Sequence, residues 1–135
     1  MDNIKLEVVT PEKYVISEDV QIVMAPGTLG EFGILNGHTP FLTTLKAGVV
    51  SYKDKNGGDR VLFVSGGFAE ALPDRVTILA ESAERRKDID LDRAQRSLDR
   101  AQKRLEQKEE NFDYERVRAS LQRAVSRINI VKPVG

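Results

Sequence analysis

The hydrophobic period of this chain changes between Glu81 and Asp90, so no single repeating element can build both halves. Upstream, apolar residues alternate or run in short bursts between glycines, as in Val76-Thr77-Ile78-Leu79-Ala80. Downstream, Leu91, Ala94, Leu98, Ala101 and Leu105 recur at spacings of three and four. A period of two signals strands and a period of three to four signals a helix. The predicted fold class is therefore α+β: a β-sandwich over residues 1–84, then an antiparallel helical hairpin over residues 88–131.

Strand signals are frequent in the first part. Ile4, Leu6 and Val8 alternate with polar neighbours, and Thr10-Pro11-Glu12-Lys13 is a turn. Val20, Ile22 and Met24 form the next alternating set, closed by Ala25-Pro26-Gly27. Residues 30–40 are expected as a structured loop or a very short strand between turns. Further strands are expected at Phe41–Leu45, Val49–Tyr52, Val61–Val64, Phe68–Leu72 and Val76–Ala80. Asn56-Gly57-Gly58 is a hairpin turn, because these residues tolerate positive φ. Val61-Leu62-Phe63-Val64 lacks alternation and reads as a fully buried strand. Short strands at such spacing indicate a sandwich or barrel.

The helical part carries its own start signals. Asp90 is placed to cap the free N–H groups of the first helix, with Ile89 stapling onto Ala94. The first helix is expected to run to about Lys108, and Glu109-Glu110-Asn111 to connect it to the second. Phe112-Asp113 repeats the entry device, with Phe112 facing Val117. Tyr114, Val117, Leu121, Ala124 and Ile128 make the second stripe, and Pro133 blocks further helix. Both stripes are narrow and rich in alanine, so the seam is marginal alone and the arm is expected to dock on something.

Composition narrows the function classes. The chain has 21 basic and 21 acidic residues, so net charge gives no general pull toward nucleic acid or an anionic membrane. The distribution is uneven: residues 1–84 carry a net −5 and residues 85–135 a net +5. With no cysteine and a single histidine, His38, thiolate chemistry and multi-histidine metal sites are excluded. No apolar run approaches the ~20 residues that cross a bilayer, and the N-terminus lacks a signal-peptide layout, so a soluble cytosolic protein is expected. The glycine-rich pieces Gly27-Thr28-Leu29-Gly30 and Ser65-Gly66-Gly67 lack the Lys-Ser/Thr of a phosphate loop and read as turns. No nucleophile, base and oxyanion set can be assembled, so no catalytic residue and no metal ligand is assigned. Ten arginines lie between Arg85 and Arg127, but interleaved acids favour solvated helix faces over a nucleic-acid platform.

Together these segments resemble a known family. The run Gly30-Glu31-Phe32-Gly33-Ile34-Leu35-Asn36-Gly37-His38-Thr39-Pro40 is similar to the G-x-x-G-I-L-x-G-H-x-P signature of the epsilon subunits of bacterial F-type rotary ATP synthases. Phe63–Glu70 and Val76–Glu81 resemble that family's later β-segments, and the helical hairpin completes its architecture. The resemblance implies a non-catalytic central-stalk subunit of a proton-translocating ATP synthase, coupling gamma to the c-ring. It also implies that the C-terminal helices, when extended toward the alpha and beta catalytic subunits, inhibit ATP hydrolysis. On the same ground the loop carrying Glu31 and His38 would face the c-ring. Ile89-Asp90-Leu91-Asp92-Arg93-Ala94 matches the I/L-D-x-x-R-A motif through which some members bind ATP, with Arg123 and Arg127 as basic partners. No cofactor is required, and a regulatory ATP is the one small ligand implied. No nucleic acid is implied, and membrane association comes only through the complex, at the cytoplasmic face of the bacterial inner membrane. The alternative, from another class, is a free-standing nucleotide-sensing or nucleic-acid-binding adaptor using the basic arm.

Overall fold

A computed structural model describes residues 2–107 and 112–132. Nine strands, β1 (Ile4–Val9), β2 (Tyr14–Gly27), β3 (Gly30–Ile34), β4 (Phe41–Leu45), β5 (Gly48–Asp54), β6 (Asp59–Val64), β7 (Gly67–Leu72), β8 (Arg75–Ala80) and β9 (Ala83–Arg85), precede two helices. After β9 come a 3-10 turn over Arg86–Asp88, then α1 (Leu91–Gln107) and α2 (Tyr114–Val131). The sheet runs β1-β8-β7-β4-β2-β5-β6-β9, with β1 also paired to β2 and β3 to β2.

The long strand β2 joins the two layers of the sandwich. Its first half pairs with β1, from Val20 opposite Ile4 to Tyr14 opposite Val9. Its second half pairs with β5 and with β3. The register slips between Val20 and Ile22, where one irregularity lets the strand change partners. The β1–β8 pair is parallel, whereas the other pairs are antiparallel. Between the layers lies one apolar core that includes Leu6, Val23, Ile34, Val50, Leu62 and Ile78.

Most strand expectations hold, with corrections where long-range pairing outweighs local signals. β1 alternates buried and half-buried positions as the sequence predicts. β2 begins six residues before Val20 and includes Ala25-Pro26-Gly27 rather than stopping there. Pro26 is tolerated because its missing N–H is not demanded; its carbonyl still accepts from Lys46 N at 3.0 Å. The tip of that hairpin is Thr28-Leu29, between Gly27 and its partner Gly30. The segment expected as a loop or very short strand is the five-residue β3, followed by a turn through Leu35 to Pro40. At the β5–β6 turn, Asp54 Oδ1 accepts the N–H groups of Asn56 at 2.9 Å and Gly58 at 2.8 Å, while Gly57 takes φ +84°.

The break in period contains two elements that the sequence reading lacked. β9 pairs with the edge of β6, placing Leu62 opposite Arg85, Phe63 opposite Glu84 and Val64 opposite Ala83. Three residues are too few to show a period, so only the tertiary pairing defines this strand. The expected link Glu109-Glu110-Asn111, Lys108 and Pro133 lie outside the described residues.

The helices pack along one another with Ala94 and Ala101 of α1 and Val117 and Ala124 of α2 fully buried. Leu91, Leu98, Leu105, Leu121 and Ile128 are half-buried, as a narrow seam requires. Tyr114, expected in the seam, is 51% exposed and meets the Phe112 ring edge-on instead. α2 is the helix that meets the body, at β5 and β6.

Tyr52 in β5 is nearly fully buried. Burial, with the nearby Glu18 carboxylate second, pushes its phenol up from 10.0 to about 12. A raised folded pKa means the fold favours the protonated phenol. That contribution is complete below about pH 10 and is lost as pH rises through about 12. Ultraviolet titration should therefore show one of the three tyrosines ionising late, and Tyr52→Phe should remove that phase and the matching alkaline loss of stability.

Candidate functional site

The helix starts determine where the candidate residues stand. Asp90 Oδ1 accepts Arg93 N–H at 3.0 Å, and its carbonyl accepts Ala94 N–H at 3.0 Å, so Asp90 caps α1 as its sequence position predicts. Asp113 does the same for α2 through Arg116 N–H at 3.1 Å. Ile89, expected as a staple onto Ala94, is drawn instead into a second apolar cluster with Phe63 of β6 and Ile130 of α2. Its packing thus joins the entry of the arm to the body.

A cavity of about 310 Å³ opens at the base of the arm. Its walls are Asp90, Arg93, Ala94 and Ser97 from α1, Ser120, Arg123 and Arg127 from α2, Glu84 from β9, and Asp88 from the 3-10 turn. Five of the six candidate nucleotide residues, Asp90, Arg93, Ala94, Arg123 and Arg127, are thereby brought together. The sixth, Ile89, is not on the wall; it is 9% exposed and packs with Phe63 and Ile130. A second hollow of about 250 Å³ shares Ser97, Ser120 and Arg123 and adds Arg100, Arg104 and Arg116.

The electrostatics of this base are divided. Arg127 is committed to Glu84, with Nη2 donating to Oε1 at 2.9 Å and Nε to Oε2 at 3.2 Å. Its guanidinium also lies 4.3 Å from the centroid of the Phe63 ring. Arg93 and Arg123 make no ion pair among the described residues. Two unpaired guanidiniums beside a helix start, with Ser97 and Ser120 hydroxyls on the wall, suit an anionic, phosphate-bearing ligand. The carboxylates of Glu84, Asp88 and Asp90 limit that preference, because they oppose anions placed close to them.

Glu84, Asp88, Ser97 and Ser120 escaped the sequence reading. Glu84 carried one faint signal, its position just before the basic run Arg85-Arg86-Lys87. The two serines fall at helical positions that no apolar stripe marks.

Glu31 and His38 lie at the other candidate region. Glu31 is an exposed residue on β3 opposite Pro26, rather than on a loop as expected. His38 is in the turn after β3, half-buried, with Nδ1 2.7 Å from Thr39 O and its ring 5.1 Å from that of Phe41. No hydrogen bond or ion pair joins Glu31 to His38 among the described residues. Among those residues no helix is long and apolar enough to cross a membrane.

Comparison with known proteins covers both parts of the chain. Residues 3–86 match the family model described as ATP synthase, Delta/Epsilon chain, beta-sandwich domain. Residues 87–132 match ATP synthase, Delta/Epsilon chain, long alpha-helix domain. The ATP synthase epsilon chain of Desulforapulum autotrophicum is 54% identical over 131 residues, 97% of each chain. That of Desulfatibacillum aliphaticivorans is 61% identical over 112 residues, 83% of this chain and 79% of the relative. In fold, the chain is similar to one in the Euglena gracilis mitochondrial ATP synthase OSCP/F1/c-ring assembly. The TM-score is 0.82 at 21% identity, covering 93% of this chain and 79% of that one.

The double duty of Asp90 sets a control for any binding study. Asp90→Ala should cost the arm about 1 kcal/mol through the lost cap, whereas Asp90→Ser should recover most of it. Thermal unfolding followed by helical circular dichroism checks this, and equal losses for both variants would remove the capping role.

Proposed function

Because the chain belongs to the delta/epsilon family of ATP synthase, we propose that its β body, residues 1–84, is the fixed rotor part and its arm, residues 88–131, a movable restraint on ATP hydrolysis. It is an epsilon-type, non-catalytic subunit of the rotary complex, at the central stalk. The observation that carries the restraint is the arm's attachment. One helix, α2, rests on two strands over a small apolar cluster, and the wall between arm and body is hollow. An attachment of this size can be undone without unfolding the sandwich, whose separate core lies on the other side of β6.

The partners follow the same division. The body holds gamma and the c-ring. An exposed apolar face supports a protein partner there: Leu42 of β4, Phe68 of β7 and Leu79 of β8 are 70%, 52% and 52% exposed, and Phe68 lies opposite Leu79. Glu31 and His38, at the β3 end of the body, are the residues proposed to meet the c-ring. Extended, the arm reaches the alpha and beta catalytic subunits, and its basic surface suits acidic surfaces on them. The subunit sits peripherally at the cytoplasmic face of the bacterial inner membrane, attached through the complex. Family membership displaces the free-standing adaptor reading.

A regulatory ATP is proposed for the cavity at the arm's base. Arg93 and Arg123 would meet its phosphates, with Arg127 on the same wall keeping its bonds to Glu84. Asp90 and Ala94 form the rim at the start of α1, and Ile89 supports the rim from below. A nucleotide bridging α1 and α2 would favour the folded arm, because the two helices supply its partners only in that arrangement.

Hydrolysis by the reconstituted complex should rise when residues 88–135 are removed; unchanged activity would eliminate the restraint while leaving the rotor role. Titration calorimetry of the isolated chain with MgATP should give heat that Arg123→Ala diminishes. No heat at millimolar nucleotide would dispose of the ATP site.

A further inference from the structure

We propose that the Arg127 guanidinium, held between the Glu84 carboxylate and the Phe63 ring, is the clasp that retains the arm, and that its opening is the event that frees the arm. The inference rests on the reading of the arm as movable and specifies what holds it.

The receiving half of the clasp is built by one cross-strand pair. Phe63 of β6 lies opposite Glu84 of β9 in antiparallel register, so their side chains stand together on one face. Leu62 and Val64, the neighbours of Phe63, enter the sandwich core, which turns Phe63 and Glu84 toward α2. Arg127 fits this pair in two ways. Its fork makes two bonds of 2.9 and 3.2 Å to the carboxylate, and its Cζ lies over the ring, 4.3 Å from the centroid. An ammonium cannot make the two-pronged bond to the carboxylate while also covering the ring, so the site distinguishes arginine from lysine.

Position makes this contact a clasp and not merely another ion pair. The remaining ion pairs among the described residues, Lys53–Asp59 and Arg60–Asp54, lie within the body; Arg127–Glu84 alone joins arm to body. Glu84 precedes the first turn of the arm, and Arg127 lies near the end of its second helix, 43 residues later. Closing that contact ties the entry of the arm to its exit, so the helices cannot swing as a unit while it persists. The other polar tie among the described residues, Gln122 Nε2 to Ala47 O at 3.2 Å, is solvent-exposed. The side chains of Arg127 and Glu84 are 25% and 28% exposed, which reduces screening by salt without removing it. When the clasp opens, Phe63, Ile89 and Ile130 lose their cover together, so release is concerted rather than a fraying of α2 from its end.

Hydrogen exchange on the full chain without nucleotide tests the clasp, with amides of Val20 to Met24 in β2 as an internal measure of body stability. Glu84→Gln and Arg127→Lys should each accelerate exchange of residues 125–131 roughly three- to tenfold while β2 is unaffected. Phe63→Leu, which keeps an apolar side chain but removes the ring face, should accelerate the same amides. The swap of Glu84→Arg with Arg127→Glu should recover part of the protection. If Glu84→Gln and Arg127→Lys both leave residues 125–131 within about twofold of the parent, a span this pair should clear, the clasp is wrong. Should Phe63→Leu also destabilise β2, the two charge variants decide alone. Hydrolysis is not the readout, so failure of the clasp and failure of the arm's restraint on catalysis remain separate results.

Discussion

Burial of β6 on both of its faces is the constraint on which the rest of the arrangement depends. Leu62 and Val64 fill the sandwich, while Phe63, wholly buried, forms the floor of the arm's attachment with Ile89 and Ile130. A strand covered on one side would alternate apolar and polar residues; one covered on both does not. β6 thus belongs to two cores at once, and the arm is a second layer over the β5–β6 side of the body. Without that layer, a Phe fully removed from water would face solvent, at a cost of about 1.5–3 kcal/mol.

The attachment combines a small apolar floor with a polar wall. Ile89 and Ile130 exclude water from Phe63, and the Arg127–Glu84 pair closes the edge of the floor. The hollow beside it is lined by Arg93 and Arg123, which make no ion pair among the described residues, and by nearby carboxylates. This division suits the movable arm proposed above: apolar contact gives it a resting place, and charged groups line its rim. Asp90 links the two functions, since the residue that starts α1 also lines the hollow.

Much of this was legible in the chain. The apolar periods gave both parts, Asp90 and Asp113 announced the helix starts, and Asn56-Gly57-Gly58 announced its turn. Even the uninterrupted run Val61-Leu62-Phe63-Val64 indicated two-sided burial, although not what covered the second face. The strand misses were of one kind. Tyr14 to Asp19 joined β2, and Ala83 to Arg85 became β9, because distant strands offered ladder partners. Tyr114 kept the spacing of a seam residue but faces water, since the seam has not yet closed over the helix's first turn.

The sequence by itself determined the change from strands to helices, the capped starts of both helices and the placement of basic residues along the arm. These follow from periodicity and from bonds between near neighbours, which any isolated segment already expresses. Tertiary structure alone decided that β2 would span both layers, that Ile89 would serve the body more than its own helix, and that Glu84 would find Arg127 across 43 residues. The reason is physical. Each of those outcomes depends on which surfaces remain available after the sandwich has closed, and no local pattern encodes a surface that exists only once distant strands have paired.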